Sequence, residues 1–148
     1  MVMTMKTSER GLALIKQFEG LRLRAYKCPV GVWTIGYGHT GPDVREGLEI
    51  SPARAGELLA ADCQRFESAV NRYVTSEINQ NQFDALVSFA YNVGEGGLWR
   101  SSLLRLVNGN PSDPTIRAAF GMWNKGGGKV LPGLERRRKE EADLYFEK

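Results

Sequence analysis

The chain has 148 residues, the length of one ordinary domain, and a domain of this size buries roughly 68–70% of the surface that its unfolded chain would expose. Hydrophobic residues make up 42% and charged residues 25% of the sequence, which argues against a disordered, collagen-like or coiled-coil chain. Twenty Lys and Arg residues against 17 Asp and Glu residues give a net charge of only +3. We interpret the single basic run, residues 136–139, as a solvated helix face, and we expect no nucleic acid partner.

The sequence carries no recognisable export or membrane-spanning signal. Residues 1–5 are too short for the apolar core of a secretory signal, and the longest uncharged apolar stretch, residues 85–94, is about half of the ~20 residues that a membrane span requires. We expect residues 1–7 to be disordered and the chain to accumulate in a cytoplasm. In that reducing compartment Cys28 and Cys63 remain free thiols, so no disulfide is predicted.

The first predicted element is a short amphipathic helix from Ser8 through Glu19. Ser8 is a good helix N-cap, and Gly20 stands where helices commonly end. Apolar residues recur at three-residue spacing between these ends; they are Leu12, Ile15 and Phe18. The helix therefore presents one apolar stripe to a core.

Aromatic and β-branched residues between positions 24 and 37 predict a small antiparallel hairpin, with residues 28–31 as its turn. Regular alternation of the second strand gives two faces, one with Trp33, Ile35 and Tyr37, and the other with Val32, Thr34 and Gly36. Glycines follow at positions 36, 38 and 41, which predicts tight turns. We assign residues from about 22 to 50 to a small β-lobe.

The rest of the chain is predicted to be helical. Ser51 and Pro52 begin a long helix over residues 52–73, and an apolar segment at 80–92, ended by Gly94, is typical of a buried helix. Further helices are predicted at 99–107, 114–123 and 134–146, separated by turn segments at 108–111 and 126–128. Residues 1–148 are therefore predicted to form one α+β domain, mostly helical, with one small antiparallel sheet near its N-terminus.

Glu19 has the position of a general acid. It follows Phe18 directly and Ile15 by four residues, so its carboxylate emerges beside the apolar stripe. Partial burial and the negative end of the helix dipole both favour the protonated form, which proton donation to a leaving group requires. Position alone fits equally an ordinary glutamate that points to water from the last helical turn.

Three motifs occur in order along the chain. Residues 19–40 read EGLRLRAYKCPVGVWTIGYGHT, residues 82–94 read QFDALVSFAYNVG, and residues 133–138 read GLERRR. Glu19, Cys28 and Thr34 are separated by eight and by five residues, which fits the pattern Glu-x8-(Asp/Cys)-x5-Thr. The combination resembles the glycoside hydrolase family 24 lysozymes, which are phage endolysins and prophage muramidases. The resemblance covers almost the whole chain, from about residue 8 to residue 145.

The resemblance implies a lysozyme-like fold, with a cleft between the β-lobe and a helical lobe. It implies an endolysin that hydrolyses the β-1,4 bond between N-acetylmuramic acid and N-acetylglucosamine in bacterial peptidoglycan and so lyses the host cell. The resemblance assigns Glu19 as the general acid and Thr34 as the residue whose hydroxyl hydrogen-bonds a water near the anomeric carbon. Cys28 takes the place of the aspartate that most members carry. A neutral thiol stabilises a cationic transition state less than a carboxylate does, so the role of Cys28 and the inverting or retaining outcome stay open.

The same resemblance assigns other residues. Tyr37, Gly38 and Asn92 are expected to bind substrate, Asn92 through an N-acetyl group, although a cap near the end of the buried helix explains Asn92 equally well. His39 and Asp62 are expected to form a structural ion pair. The arginines at 136–138 are expected to be structural, with at least one reaching an acidic partner on a neighbouring helix.

Three other functions remain compatible with the sequence. A lytic transglycosylase would cleave the same bond and leave an anhydro end, and a thiol peptidase or amidase would use Cys28 and His39 on the wall peptide. A non-catalytic domain would bind the wall without cleaving it. The leading hypothesis needs no cofactor or metal. It takes a peptidoglycan glycan strand as partner, a monomer as the active form, and a holin-type membrane protein for release from the host cytoplasm.

Overall fold

The computed structural model describes residues 4–148, and residues 1–3 lie outside this description. The helices of the described chain are α1 (Glu9–Glu19), α2 (Pro52–Tyr73), α3 (Gln80–Arg100), α4 (Ser102–Gly109), α5 (Ile116–Gly121) and α6 (Pro132–Phe146). The strands are β1 (Arg22–Lys27), β2 (Trp33–Gly36), β3 (His39–Thr40), β4 (Lys125–Gly126) and β5 (Lys129–Val130). This is the mostly helical α+β architecture that the sequence predicts.

A buried carboxylate fixes the beginning of α1. The Ser8 side chain accepts a hydrogen bond from the Gly11 N–H, the Ser8 N–H donates to Asp84 Oδ1 at 3.0 Å, and the Ser8 hydroxyl donates to Asp84 Oδ2. Asp84 is completely buried in α3, and a negative charge at a helix N-terminus is favourable. The first turn of α1 is thus joined to α3, which in turn sets where Glu19 lies at the other end of α1.

The β-lobe is a three-stranded antiparallel sheet in the order β1-β2-β3. Lys27 is paired with Trp33, and Thr34 with Thr40. A small core of Ile35, Val44 and Leu58 lies under this sheet, with Leu58 supplied by α2. The long helix α2 therefore belongs to both lobes, because its later residues pack in the helical core.

Tyr37 does not lie on the face predicted for it. β2 ends at Gly36, whose φ of 67° breaks the strand alternation. Trp33 and Ile35 pack in the β-lobe core, whereas Tyr37 packs against the helical core. The turn at Gly36 therefore passes the chain from one core to the other at the position where the site begins.

The helical core is built around α3, whose residues 83–90 are all buried. α3 begins with a capping box between Asn79 and Gln82. The sequence predicts that this helix ends at Gly94, and Gly94 is indeed non-helical, with φ of 87° and ψ of 164°. A second helical segment of α3 follows this break and ends at Arg100. Glycine adopts this conformation without strain, and Leu98 in the second segment is fully buried, so the chain stays in the helical core after the break.

A second hairpin, β4 with β5, corrects the prediction of a single sheet. The glycines read as a separator between helices instead form its turn, where Gly127 and Gly128 have φ of 59° and 80°. Two-residue strands carry too little alternation to be recognised in a sequence. The following helix α6 begins at Pro132, close to the predicted position.

The first described residues are ordered by contacts with α2, contrary to the disorder expected for residues 1–7. The Met5 N–H donates to Asn71 Oδ1 at 3.0 Å, and the Thr7 hydroxyl donates to Glu67 Oε2 at 2.7 Å. The same expectation for residues 1–3 lies outside the described residues. Cys28 and Cys63 are both free thiols. Within residues 4–148, no helix is long and apolar enough to cross a membrane.

Candidate active site

Glu19 is the last residue of α1, and it faces an open cleft. Gly20 ends the helix with φ of 72°, a conformation that favours glycine. The Glu19 side chain is 21% exposed, so part of the carboxylate reaches solvent. Ile15, one turn earlier, is fully buried and anchors the helix. The carboxylate is therefore held at a fixed place on the cleft wall.

The cleft has a volume of about 410 Å³, and both lobes contribute to it. Its polar lining consists of Glu19 from α1, Gly38 and Thr40 from the β-lobe, Asp62 and Arg65 from α2, and Tyr91 from α3. Two carboxylates and one guanidinium thus face the same space. Across residues 4–148, no three His, Cys, Asp or Glu side chains are grouped so that they could hold a metal ion.

Gly38 permits close approach of Glu19 to the β-lobe. Its φ is 93°, and a Cβ at this position would lie 3.4 Å from Glu19 Oε1 and 3.8 Å from the Tyr91 hydroxyl oxygen. That hydroxyl donates to the Tyr37 carbonyl at 2.8 Å. Burial, together with the nearby carboxylates of Glu19 and Asp62, raises the pKa of Tyr91. Tyr91 therefore stays a neutral donor that joins α3 to the loop before β3.

Glu19 has a second fixed contact, with α6. Arg137 Nη1 donates to Glu19 Oε2, and the Arg137 side chain is only 3% exposed. This contact places a positive charge against the carboxylate, in addition to the burial and the helix dipole that the sequence indicates. The predicted surroundings of Glu19 were therefore incomplete, because a cation from a distant helix contacts the carboxylate directly.

The basic run at 136–139 is only in part a solvated helix face, because Arg136 and Lys139 are exposed and the two arginines between them are buried. Arg137 and Arg138 are 3% and 1% exposed, and each has its Nε 3.1 Å from a carboxylate oxygen of the fully buried Glu141. The Ser88 hydroxyl donates to Glu141 Oε2 at 2.6 Å. The prediction that one of these arginines reaches an acidic partner on a neighbouring helix is confirmed by Arg137 and Glu19.

Asn92 is joined to this buried cluster. Its Oδ1 accepts a hydrogen bond from Arg138 Nη2 at 2.7 Å. Asn92 lies two residues before the non-helical Gly94, near the end of the first helical segment of α3. The N–H groups of its side-chain amide remain available to donate hydrogen bonds to a substrate, so binding of an N-acetyl group by Asn92 stays a prediction.

Cys28 and Thr34 lie together at the turn between β1 and β2. The Cys28 N–H donates to the Val32 carbonyl at 2.9 Å, and the Thr34 hydroxyl donates to the same carbonyl at 3.0 Å. Hydrogen bonds with the backbone of Val32 and Val30, and a smaller one with Thr34, hold the pKa of Cys28 below its ordinary value. The cleft lining around Glu19 includes neither Cys28 nor Thr34.

His39 contacts two carboxylates. Its Nδ1 lies 2.8 Å from Asp62 Oδ2, the contact that the sequence predicts, and its Nε2 lies 3.0 Å from Asp43 Oδ2. Burial lowers the pKa of His39, but the hydrogen bonds with Asp62 and Asp43 outweigh burial and raise it above its ordinary value. Because both ring nitrogens face carboxylates, neither is placed to take a proton from Cys28, which argues against a thiol peptidase.

Comparison with known proteins identifies the family. Residues 16–141 match the family model described as phage lysozyme. This chain belongs to the phage lysozyme family. It is 46% identical over 144 residues to an endolysin of Bacillus phage B103, covering 96% of this chain and 54% of that protein. It is 38% identical over 142 residues to an endolysin of Salmonella phage P22, covering 93% of this chain and 97% of that protein.

The fold agrees with the family. The structure is similar to the muramidase domain of SpmX from Asticaccaulis excentricus, with a TM-score of 0.89, 41% identity, and coverage of 97% of this chain and 99% of that one. The predicted lysozyme-like fold is confirmed. The chain spans about half the length of the Bacillus phage endolysin, 54%, and almost all of the P22 endolysin, 97%.

Several residues of this phage lysozyme site were missed by sequence reasoning. They are Asp43, Arg65, Tyr91 and Glu141. Only Glu141 left a signal, because a glutamate four residues after an arginine lies on the same side of a helix. The other residues reach the site through tertiary contacts, which no local sequence pattern predicts.

Proposed function

We propose that this member of the phage lysozyme family is an endolysin, a muramidase that hydrolyses the β-1,4 bond between N-acetylmuramic acid and N-acetylglucosamine in peptidoglycan. Glycoside hydrolysis needs a carboxylic acid that protonates the leaving glycosidic oxygen. The observation that carries the proposal is Glu19, a carboxylate held on the wall of a two-lobed cleft of about 410 Å³. Cleavage of that bond along many glycan strands lyses the cell.

The two oxygens of Glu19 have different surroundings, which supports its role as the acid. Oε2 accepts from Arg137, whereas Oε1 lies beside Gly38, which lines the cleft without a side chain. Oε1 is therefore the oxygen that carries the proton to the substrate. The bare backbone of Gly38 leaves space for a sugar ring next to it.

We assign Thr34 and Cys28 to the attacking water. The Thr34 hydroxyl donates to the Val32 carbonyl at 3.0 Å, and its oxygen has lone pairs that can accept a hydrogen bond from water. The lowered pKa of Cys28 increases its thiolate fraction. A thiolate supplies a negative charge that stabilises the oxocarbenium-like transition state, which is the role of the aspartate that it replaces.

Substrate binding is proposed for three residues. Gly38 offers its backbone, Tyr37 holds that loop through the contact of its carbonyl with Tyr91, and Asn92 offers its amide N–H groups. The partner is a glycan strand, and the active form is a monomeric lysozyme domain. We propose that the protein stays in the host cytoplasm until a holin-type membrane protein releases it to the wall; periplasmic protein in cells without such a partner would argue otherwise.

The test compares the wild-type protein with Glu19→Gln and with Glu9→Gln, a matched change at the exposed start of the same helix. Each is incubated with purified Gram-negative peptidoglycan, and clearing is followed by turbidity. We expect Glu19→Gln to fold and to lose activity by about 10² to 10⁴-fold, because general acid catalysis contributes that much. Glu9→Gln keeps wild-type activity.

Product chemistry completes the test. Muropeptides with new reducing ends indicate a hydrolase, anhydro ends a lytic transglycosylase, and new amino groups a peptidase or amidase. Near-normal clearing by a folded Glu19→Gln protein would rule out Glu19 as the acid.

A further inference from the structure

We propose that Glu141 is a positioning residue for Glu19. Through Arg137, its buried carboxylate fixes the direction of the guanidinium and offsets its charge, and so sets the pH range in which Glu19 is protonated. The consequence for peptidoglycan cleavage rests on the proposed function. The titration of Glu19 does not, and it is measured separately below.

Arg137 is held from three sides. Its Nε donates to Glu141 Oε2 at 3.1 Å, its Nη2 donates to the Ser88 carbonyl at 3.1 Å, and its Nη1 donates to Glu19 Oε2. A guanidinium is planar, so fixing Nε and Nη2 also fixes the direction of Nη1. The contact with Glu19 is therefore determined by groups on the far side of Arg137.

Glu141 has no partner outside this cluster among the described residues. It is fully buried, its Oε2 receives the Ser88 hydroxyl at 2.6 Å and Arg137 Nε at 3.1 Å, and its Oε1 lies 3.1 Å from Arg138 Nε. The cluster contains two guanidinium groups and two carboxylates, those of Glu141 and Glu19. Burial raises the pKa of Glu141, and the contacts with Arg138 and Arg137 act against that rise. With Glu141 ionised, the charges of the cluster sum to zero only when Glu19 is ionised as well.

The charge balance decides how easily Glu19 takes up a proton. An uncompensated guanidinium in contact with Glu19 would hold the carboxylate ionised, and an ionised carboxylate has no proton to donate as a general acid. The negative charge of Glu141 cancels part of that effect at short range in a buried site, where charges are weakly screened. Arg138 acts in the opposite direction, because it adds a second cation to the cluster.

Other charged groups face Glu19 from the elements packed against it. Asp62 and Arg65 on α2 line the cleft, Tyr91 on α3 is neutral, and Lys16 is one turn earlier on α1. The β-lobe presents the backbone of Gly38. These groups are the same in every variant below, so differences between variants report the α6 cluster.

The experiment measures the titration midpoint of the Glu19 carboxyl by carbon-detected NMR, with the resonance assigned by its loss in Glu19→Gln. The pH–activity profile on peptidoglycan is measured in parallel. In Glu141→Gln the midpoint of Glu19 and the alkaline limb of the profile both move to lower pH, by about one pH unit. Glu140→Gln is the matched control one residue earlier, where the carboxylate contacts Gln17 instead, and it leaves both unchanged.

A second variant gives the opposite sign. Arg138→Gln removes the cation on the other side of Glu141, so the midpoint and the alkaline limb move to higher pH. The double variant Glu141→Gln/Arg138→Gln restores the net charge of the cluster and returns both toward the wild-type values. A purely structural role would lower activity in every variant without shifts of opposite sign.

Each outcome decides the proposal. Unchanged midpoints in folded Glu141→Gln and Arg138→Gln, or shifts of the same sign, overturn it. If Glu141→Gln does not fold, Arg138→Gln and the double variant, whose buried charges are balanced, still give the sign. If the wild-type protein does not cleave peptidoglycan, the proposed function fails, while the midpoints still decide whether Glu141 acts on Glu19.

Discussion

Two regions of the site are built in different ways. The β-lobe turn with Cys28 and Thr34 is held by hydrogen bonds to one carbonyl, that of Val32, within a few residues of sequence. The region around Glu19 is held by Arg137, which is 118 residues away in sequence and almost completely buried. The first region is held by contacts close in sequence, with Thr34 buried and Cys28 partly exposed. The second is held by a long-range contact with a buried arginine.

This contrast between the two regions indicates where the site tolerates amino-acid substitution. Removing one partner of a buried ion pair leaves an uncompensated charge in a poorly solvated place, which is strongly destabilising. Exchanging a side chain at a partly exposed turn leaves the backbone hydrogen bonds intact. Glu19, the proposed general acid, is therefore coupled to the stability of the fold, whereas the groups proposed to assist the water are coupled mainly to the proposed catalysis.

The largest effect is expected for Arg137→Gln. This change leaves Glu19 without a cation in direct contact and removes one of the two guanidinium groups beside the buried Glu141. It lowers the free energy of unfolding by about 3–5 kcal/mol. Urea denaturation followed by circular dichroism measures it. Arg136→Gln, the exposed neighbour on α6, is the matched control and changes stability by less than about 0.5 kcal/mol. Equal stabilities of the two variants would contradict the assignment of a buried ion-pair network.

His39→Ala is expected to have an intermediate effect. It leaves Asp62 and Asp43 without their partner and lowers the free energy of unfolding by about 1–2 kcal/mol, reduced by the partial exposure of both carboxylates. Lytic activity remains at temperatures below the melting point, because His39 takes no part in the proposed reaction. A stable, folded and inactive His39→Ala protein would favour the thiol peptidase after all.

The raised pKa of His39 also gives the sign of a pH dependence. A group whose pKa is higher in the folded state stabilises the fold below its ordinary value, and this contribution is lost as pH rises through the raised value. The stability that His39 contributes is therefore fully present below about pH 6.5 and is lost as pH rises from there through the raised pKa, in the wild-type protein only. Thermal melts of wild type and His39→Ala over pH 5 to 9 measure it, and parallel curves would refute it.

The same contrast explains what the sequence predicted. Ser8, Gly20, Ser51 and Pro52 mark helix ends through local chemistry, and the structure has α1 and α2 between them. The contact of Arg137 with Glu19 depends on how α6 lies against α1, which no local pattern encodes. The basic run was consequently read as a solvated face, because a buried arginine looks like an exposed one until its partners are known.

Cys28 gives the smallest expected effect and separates the remaining hypotheses most sharply. If Cys28 assists water, Cys28→Asp keeps or raises activity, since a carboxylate orients water and stabilises positive charge, and Cys28→Ser keeps part of it. A covalent thiol mechanism predicts that both variants are inactive. Val30→Asp, in the same turn and 84% exposed, is the control for a charge added nearby.

Alkylation of the protein should modify Cys28 before Cys63, because burial raises the pKa of Cys63 to about 12. Modification of Cys28 should inhibit activity because the added group fills the site. A folded but inactive Cys28→Asp protein refutes the water-assisting role.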